Sequence, residues 1–157
     1  MRVLWVCNQC IPVVAKHLQM NIGNKEGWLA GLSERILADE NSKLTLGACF
    51  PVSQDMADFK GEYEVTAYGF YEDRVNLHIY NPSLERRFKE IIEDFKPDVI
   101  HIFGTEYGHT LAVCKATNDP SKILIGIQGL CSVYAKHYFD GIPEKIINGS
   151  IKIFSRI

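Results

Sequence analysis

Short apolar runs alternate along the chain with longer stretches in which apolar residues return every three or four positions. The first run, Arg2-Val3-Leu4-Trp5-Val6-Cys7, is nearly continuous, the pattern of a strand covered on both faces. A long segment without clear period follows over residues 8–25 and contains Pro12, Asn21, Gly23 and Asn24. From residue 27 to about residue 40 the period changes. Leu29, Leu32 and Ile36 form the stripe of an amphipathic helix. Residues 43–50 predict a second strand, stopped at Pro51. Residues 62–69 and 75–79 predict two more. Asn81-Pro82 opens the clearest helix, since Asn suits the N-cap and Pro the first helical position. Leu84, Phe88, Ile91, Ile92 and Phe95 then recur at helical spacing, and Pro97 ends the element. Residues 98–103 predict a strand, residues 107–116 a helix, and residues 123–127 a last strand that stops at Gln128-Gly129.

Strands this apolar, separated by helices, predict an α/β fold: a Rossmann-like parallel sheet with helices on both faces and right-handed crossovers. Ligands of such sheets sit beyond the carboxyl ends of the strands. That rule selects the loop after Cys7, the turn at residues 51–54, the turn at residues 104–109 and the segment from Gln128 onward. There is no internal repeat or low-complexity tract.

Composition narrows the classes. The chain has 157 residues, 46% hydrophobic and 23% charged, which suits one globular domain with a full core. Its formal charge is −2, which argues against a nucleic-acid binder with a basic face and against a polybasic membrane peptide. No apolar run approaches the roughly 18 residues of a membrane-spanning helix. The N-terminus has the pattern of a strand rather than of a signal peptide. Five cysteines, odd in number and scattered through apolar segments, predict reduced thiols in a cytoplasmic protein.

Candidate chemistry falls at the selected loops. Gly27-Trp28 opens a helix after the long first loop. A glycine there lets a backbone amide approach an anion, with the helix dipole adding attraction, although it also serves simply as a helix start. There is no GxGxxG dinucleotide fingerprint. Cys7-Asn8-Gln9-Cys10 has the spacing of a thiol-redox pair, which makes a stand-alone flavodoxin-like binding or redox module the alternative function; buried structural thiols are the plainer reading. Zinc lacks a second ligand pair. In Gly104-Thr105-Glu106-Tyr107-Gly108-His109, Glu106 suits a helix N-terminus through the dipole alone, and His109 falls in the first helical turn, where it can face a ligand as acid/base or phosphate contact. His101, inside an apolar strand, predicts a hydrogen-bonded core histidine. Residues 128–141 predict a loop whose Tyr134, Lys136, His137 and Tyr138 can meet a sugar or a phosphate. Hydrolase elbows and P-loops are missing.

Taken together, three segments resemble the N-terminal half of a family 4 glycosyltransferase with the GT-B fold. Met1-Arg2-Val3-Leu4-Trp5-Val6-Cys7-Asn8, followed after a long loop by Gly27-Trp28-Leu29-Ala30-Gly31-Leu32, is similar to the first strand and glycine-led helix. Lys96-Pro97-Asp98-Val99-Ile100-His101-Ile102-Phe103-Gly104 is similar to the strand motif P-D-V-x-H-x-H-G, with Phe103 in place of the second histidine. Ile125-Gly126-Ile127-Gln128-Gly129-Leu130 is similar to the loop that often reads T-x-H-G, with Gln128 in place of its histidine. The resemblance implies an acceptor-side domain over residues 1–150, with residues 151–157 starting the connection to a C-terminal, donor-binding domain of the same protein. It implies hexosyl transfer from a nucleotide-sugar to a sugar or lipid-linked acceptor in surface-polysaccharide or glycoconjugate synthesis, with retention and with neither cofactor nor metal. It matches Gly27 and Gln128 to family positions at the donor, and these with Trp28, Glu106, His109 and Gly129 at the same strand edge are the expected substrate-binding residues. It implies a cytoplasmic location, peripheral to the inner leaflet where the acceptor is lipid-linked, no nucleic-acid partner, and no transfer by these 157 residues alone.

Overall fold

The computed structural model describes residues 1–20, 27–76, 80–127, 129 and 131–148. Six strands form one sheet: β1 (Arg2–Val6), β2 (Thr45–Val52), β3 (Lys60–Glu62), β4 (Thr66–Tyr71), β5 (Val99–Phe103) and β6 (Ile123–Gly126). Their spatial order is β3-β4-β2-β1-β5-β6. All neighbours pair in parallel except β3, which is antiparallel to β4. The helices are α1 (Pro12–His17), α2 (Gly27–Leu37), α3 (Ser83–Phe95), α4 (Gly108–Ala116) and α5 (Cys131–His137). The expected Rossmann-like α/β fold is therefore present. The chain divides into two compact units, residues 1–127 and 128–157, and the whole sheet belongs to the first.

Strand alternation divides the core into two layers. Val3 and Trp5 of β1, with Leu46, Ala48 and Phe50 of β2, pack with Val14, Ala15 and Leu29 from α1 and α2. Leu4 and Val6 face the other way, against Leu84, Phe88, Ile91 and Phe95 of α3 and Ala112 and Val113 of α4. A strand buried on both faces must be apolar at every position, which is why β1 lacks polar alternation. The Asn81 carboxamide accepts from the Ser83 amide at 3.0 Å and so caps the start of α3. Arg87, mostly buried, anchors the helix to the sheet by donating to the carbonyls of Gly69 and Phe59.

Several elements differ from the sequence reading. The first loop contains α1, whose Pro12 occupies the first helical turn, where no amide is needed. β2 continues through Pro51 to Val52. The Cys49 carbonyl accepts from Cys7, so Cys49 and, two residues on, Pro51 face the β1 side. β1 ends at Val6, and the missing proline amide breaks no ladder bond there. The strand expected over residues 62–69 is a hairpin: β3 ends at Glu62, Tyr63 donates to the Val65 carbonyl, and β4 runs to Tyr71. Val75 and Asn76, expected in a strand, lie in a bend whose amides donate to Asp73; residues 77–79 lie outside the described residues. In the second unit, the expected loop contains α5. His137 there pairs with Asp140 at 2.6 Å, and Tyr134, Tyr138 and Phe139 are exposed.

Candidate functional site

The sheet order runs outward in opposite directions from β1, towards β2 on one side and β5 on the other. This is a topological switch point, and the loops beyond the carboxyl ends of β1 and β5 diverge there to leave a crevice. Residue by residue, the crevice is built from Asn8 after β1, from Gly104 to His109 after β5, and from Glu72 and Arg74 after β4.

Gly104 has φ of +93°, a left-handed conformation that glycine adopts without strain. A Cβ on it would run into the Glu106 carboxylate and lie 3.5 Å from the Asn8 side-chain nitrogen. Glu106 is exposed and therefore folds back over the glycine, next to Asn8. The loop is fixed at both ends: Gly104 donates its amide to Gly126 at 2.8 Å, and the Thr110 hydroxyl donates to the Gly104 carbonyl at 3.0 Å. Arg74 donates to the Asn8 main-chain carbonyl. The Asn8 side-chain oxygen is buried and has no hydrogen-bond partner.

His109 lies in the first turn of α4, as expected, but it does not face the solvent. It is 1% exposed. Both its backbone amide and its Nδ1 lie 2.9 Å from Glu72 carboxylate oxygens, and its ring packs between Phe70 and Tyr107. Glu72 thus occupies the place at a helix N-terminus where an external anion would otherwise sit. Burial by itself would push the Glu72 carboxyl up. The His109 ring and amide, with the Arg74 charge beside them, outweigh that and hold it below the usual carboxylate value. Nδ1–H donates to the carboxylate when the ring is neutral, which leaves Nε2 buried without a partner. The anion position in front of His109 is filled by the protein's own carboxylate.

Gly27 opens α2, and a Cβ there would meet nothing within 4 Å among the described residues. Trp28 is 45% exposed and packs on Phe103 with ring centroids 5.1 Å apart. Phe103 also carries the His101 ring at 4.0 Å and the Trp5 edge at 5.1 Å. His101 is half-buried against these rings, and burial holds its pKa below the usual histidine value. Gly27, Trp28 and Glu106 therefore border one edge of the sheet. Gln128 lies outside the described residues. Gly129 belongs to the second unit, where its position is crowded by Tyr134.

The Cys7-x-x-Cys10 pair begins where β1 ends, and both residues are buried. Burial pushes the Cys10 thiol up to about 12, the reverse of what an attacking thiolate needs. Among the described residues, no three His, Cys, Asp or Glu side chains converge as a metal-binding set, and no helix is long and apolar enough to cross a membrane.

The motif reading did not select Glu72, Arg74 or Asn8 as site residues. Asn8 was within reach of the rule that reads strand carboxyl ends. Glu72 also follows a strand end, but its pairing with His109 was not legible, because that partner is 37 positions away in the chain and on another element. Comparison of the chain with protein families, with characterised proteins and with solved structures gave no match.

Proposed function

We propose that the chain is the acceptor-side domain of a nucleotide-sugar-dependent glycosyltransferase of the GT-B type. The observation that carries this reading is the placement of two glycine-led segments. Gly27 opens α2 after β1, and the Gly104–Gly108 loop opens α4 after β5, so both border the crevice at the switch point. The open amide end at Gly27 suits donor phosphates, and the exposed Trp28 suits the apolar face of a sugar ring. The oxygen-rich floor at Asn8 and Glu106 suits the hydroxyl groups of an acceptor.

In this reading the chain's own residues bind and orient. Transfer needs contacts made only in the transition state, and those come from a donor-binding domain on the far side of the cleft. Transfer goes without metal or cofactor. The donor and acceptor are a nucleotide-sugar and a sugar or lipid-linked sugar, and the site is cytoplasmic.

Saturation-transfer NMR of the chain with UDP-glucose, GDP-mannose and simple glycosides tests the reading. Weak binding that perturbs Gly27, Trp28 and the residue 104–109 loop is the expected result. Absence of binding by every nucleotide-sugar and glycoside would sink it.

A further inference from the structure

We infer that Arg74 is the anion contact of the crevice: its guanidinium exchanges the main-chain carbonyl of Asn8 for a phosphate or carboxylate group of the ligand. This rests on the proposed placement of a ligand at the switch point and not on the transfer chemistry.

The side chain is held over the crevice from a fixed root. Arg74 follows β4, yet it donates to the Asn8 carbonyl beyond the end of β1, with β2 lying between those strands in the sheet. On one side of it, Glu72 is buried and bonded to the His109 amide and ring, both at 2.9 Å. Next to it, Asp73 accepts from the amides of Val75 at 2.9 Å and Asn76 at 3.3 Å, and from the Asn76 side chain at 2.8 Å. A guanidinium on a fixed root has less freedom to lose on binding than one on a loose loop.

The partner it now has is weaker than the one inferred. A guanidinium has five N–H donors, and Arg74 places Nη2 on one neutral carbonyl. It is exposed, and it forms no ion pair with any described carboxylate. Its charge reaches Glu72 without direct contact. A phosphate or carboxylate takes two parallel bonds from the planar fork where a carbonyl takes one, and it brings opposite charge into contact.

The neighbouring anion contacts are already taken. The His109 amide at the start of α4 is bonded to Glu72, and Lys115 is paired with Glu85 at 3.4 Å. The opposing charge is Glu106, which is exposed and folded over Gly104 next to Asn8. It acts on Arg74 and its ligand through water, where salt screens it, whereas the Arg74 bonds are direct.

The test titrates the nitrogen-15-labelled chain with inorganic pyrophosphate, methyl glucuronide and methyl glucoside, and follows the Arg74 side-chain Nε–H signal and the Asn8 amide. Both signals are expected to move with at least one anion and to stay in place with the neutral glucoside. Tighter binding of pyrophosphate would identify the group as phosphate, and tighter binding of the glucuronide as a sugar carboxylate. Arg74→Gln should weaken the anion about ten-fold, Arg74→Lys should restore part of it, and Glu106→Gln should tighten it. An unchanged melting temperature in Arg74→Gln separates lost contact from lost fold; if that variant does not fold, the Arg74 signal of the parent decides. Anion binding that leaves this signal in place, equal binding by a folded Arg74→Gln, an equal shift with the neutral glucoside, or no binding by either anion would each overturn the inference. A nucleotide-sugar that binds with the Arg74 signal unmoved would sink the inference and leave the proposed function. Pyrophosphate held at Arg74 with no nucleotide-sugar or glycoside bound would do the reverse.

Discussion

A carboxylate survives burial only when donors meet its charge, and Glu72 receives two hydrogen bonds from a single residue, His109. Glu72→Ala leaves the His109 amide and ring nitrogen buried without an acceptor, and should cost about 3 kcal/mol in a denaturant titration. Glu72→Gln keeps one acceptor and should cost less. The pH dependence has a definite sign. The folded-state pKa lies below the ordinary 4.5, so the stabilisation is complete above that value and is lost as pH falls below it through the folded pKa. The acid limb of a stability–pH curve should therefore be shallower in Glu72→Gln than in the parent; identical limbs would show that the pair carries no linked proton. The thiols give a second expectation. Burial raises Cys10 to about 12 and raises Cys49 as well, while Cys114 is only half-buried. Iodoacetamide at pH 8 should label Cys114 before Cys10 and Cys49, which follow global unfolding. Fast labelling of Cys10 would restore the redox alternative. At this scale the sequence revealed chemistry that depends on local position, such as Gly27 at a helix start and Glu106 beside a glycine turn. It did not reveal the burial of His109, because that follows from an ion pair made across the fold.

Elements were legible where a single face repeats for several turns. α3 has four buried apolar residues on one stripe, a capping asparagine before it and Pro97 after it, and the structure places it within a residue of expectation. α1 has six residues, too few for a period to emerge, and is held by burying Val14 and Ala15. The β3–β4 hairpin was read as one strand because its turn, Tyr63 to Val65, contains neither Gly nor Pro. Two substitutions probe how tightly the elements fit. A Cβ on Gly47 of β2 would lie 2.6–3.0 Å from the Phe95 ring at the end of α3. Gly47→Ala should therefore cost about 1–3 kcal/mol by overpacking. Lys96 closes α3 with φ of +52°, where a side chain is strained. Lys96→Gly should raise stability by roughly 1 kcal/mol, if the left-handed cap limits the helix end. A loss of that size would mean that the lysine side chain contributes more than its backbone costs.

At the scale of the molecule, the fold class followed from buried strands alternating with helices, but the strand order did not. Spatial order depends on which crossovers pass to which side of β1, and an apolar pattern is the same for either choice. That order is what makes Gly27 and the Gly104 loop neighbours of one crevice, so a functional test belongs at the position where fold and ligand make separable demands. Gly27 is such a position. Among the described residues nothing stands within 4 Å of a Cβ built on it, so alanine clashes with none of them. Alanine also favours helix over glycine by up to about 1 kcal/mol, so Gly27→Ala should melt at the same temperature or slightly higher. The added methyl would nevertheless lie where a donor phosphate is proposed to approach the first amide of α2. Losing one charge-assisted hydrogen bond should weaken nucleotide-sugar binding on the order of ten-fold, with neutral glycosides at the Asn8–Glu106 floor much less affected. Equal nucleotide-sugar binding by parent and variant would remove Gly27 from the donor side of the site. Equal weakening of both ligand classes would show instead that the crevice is one undivided pocket.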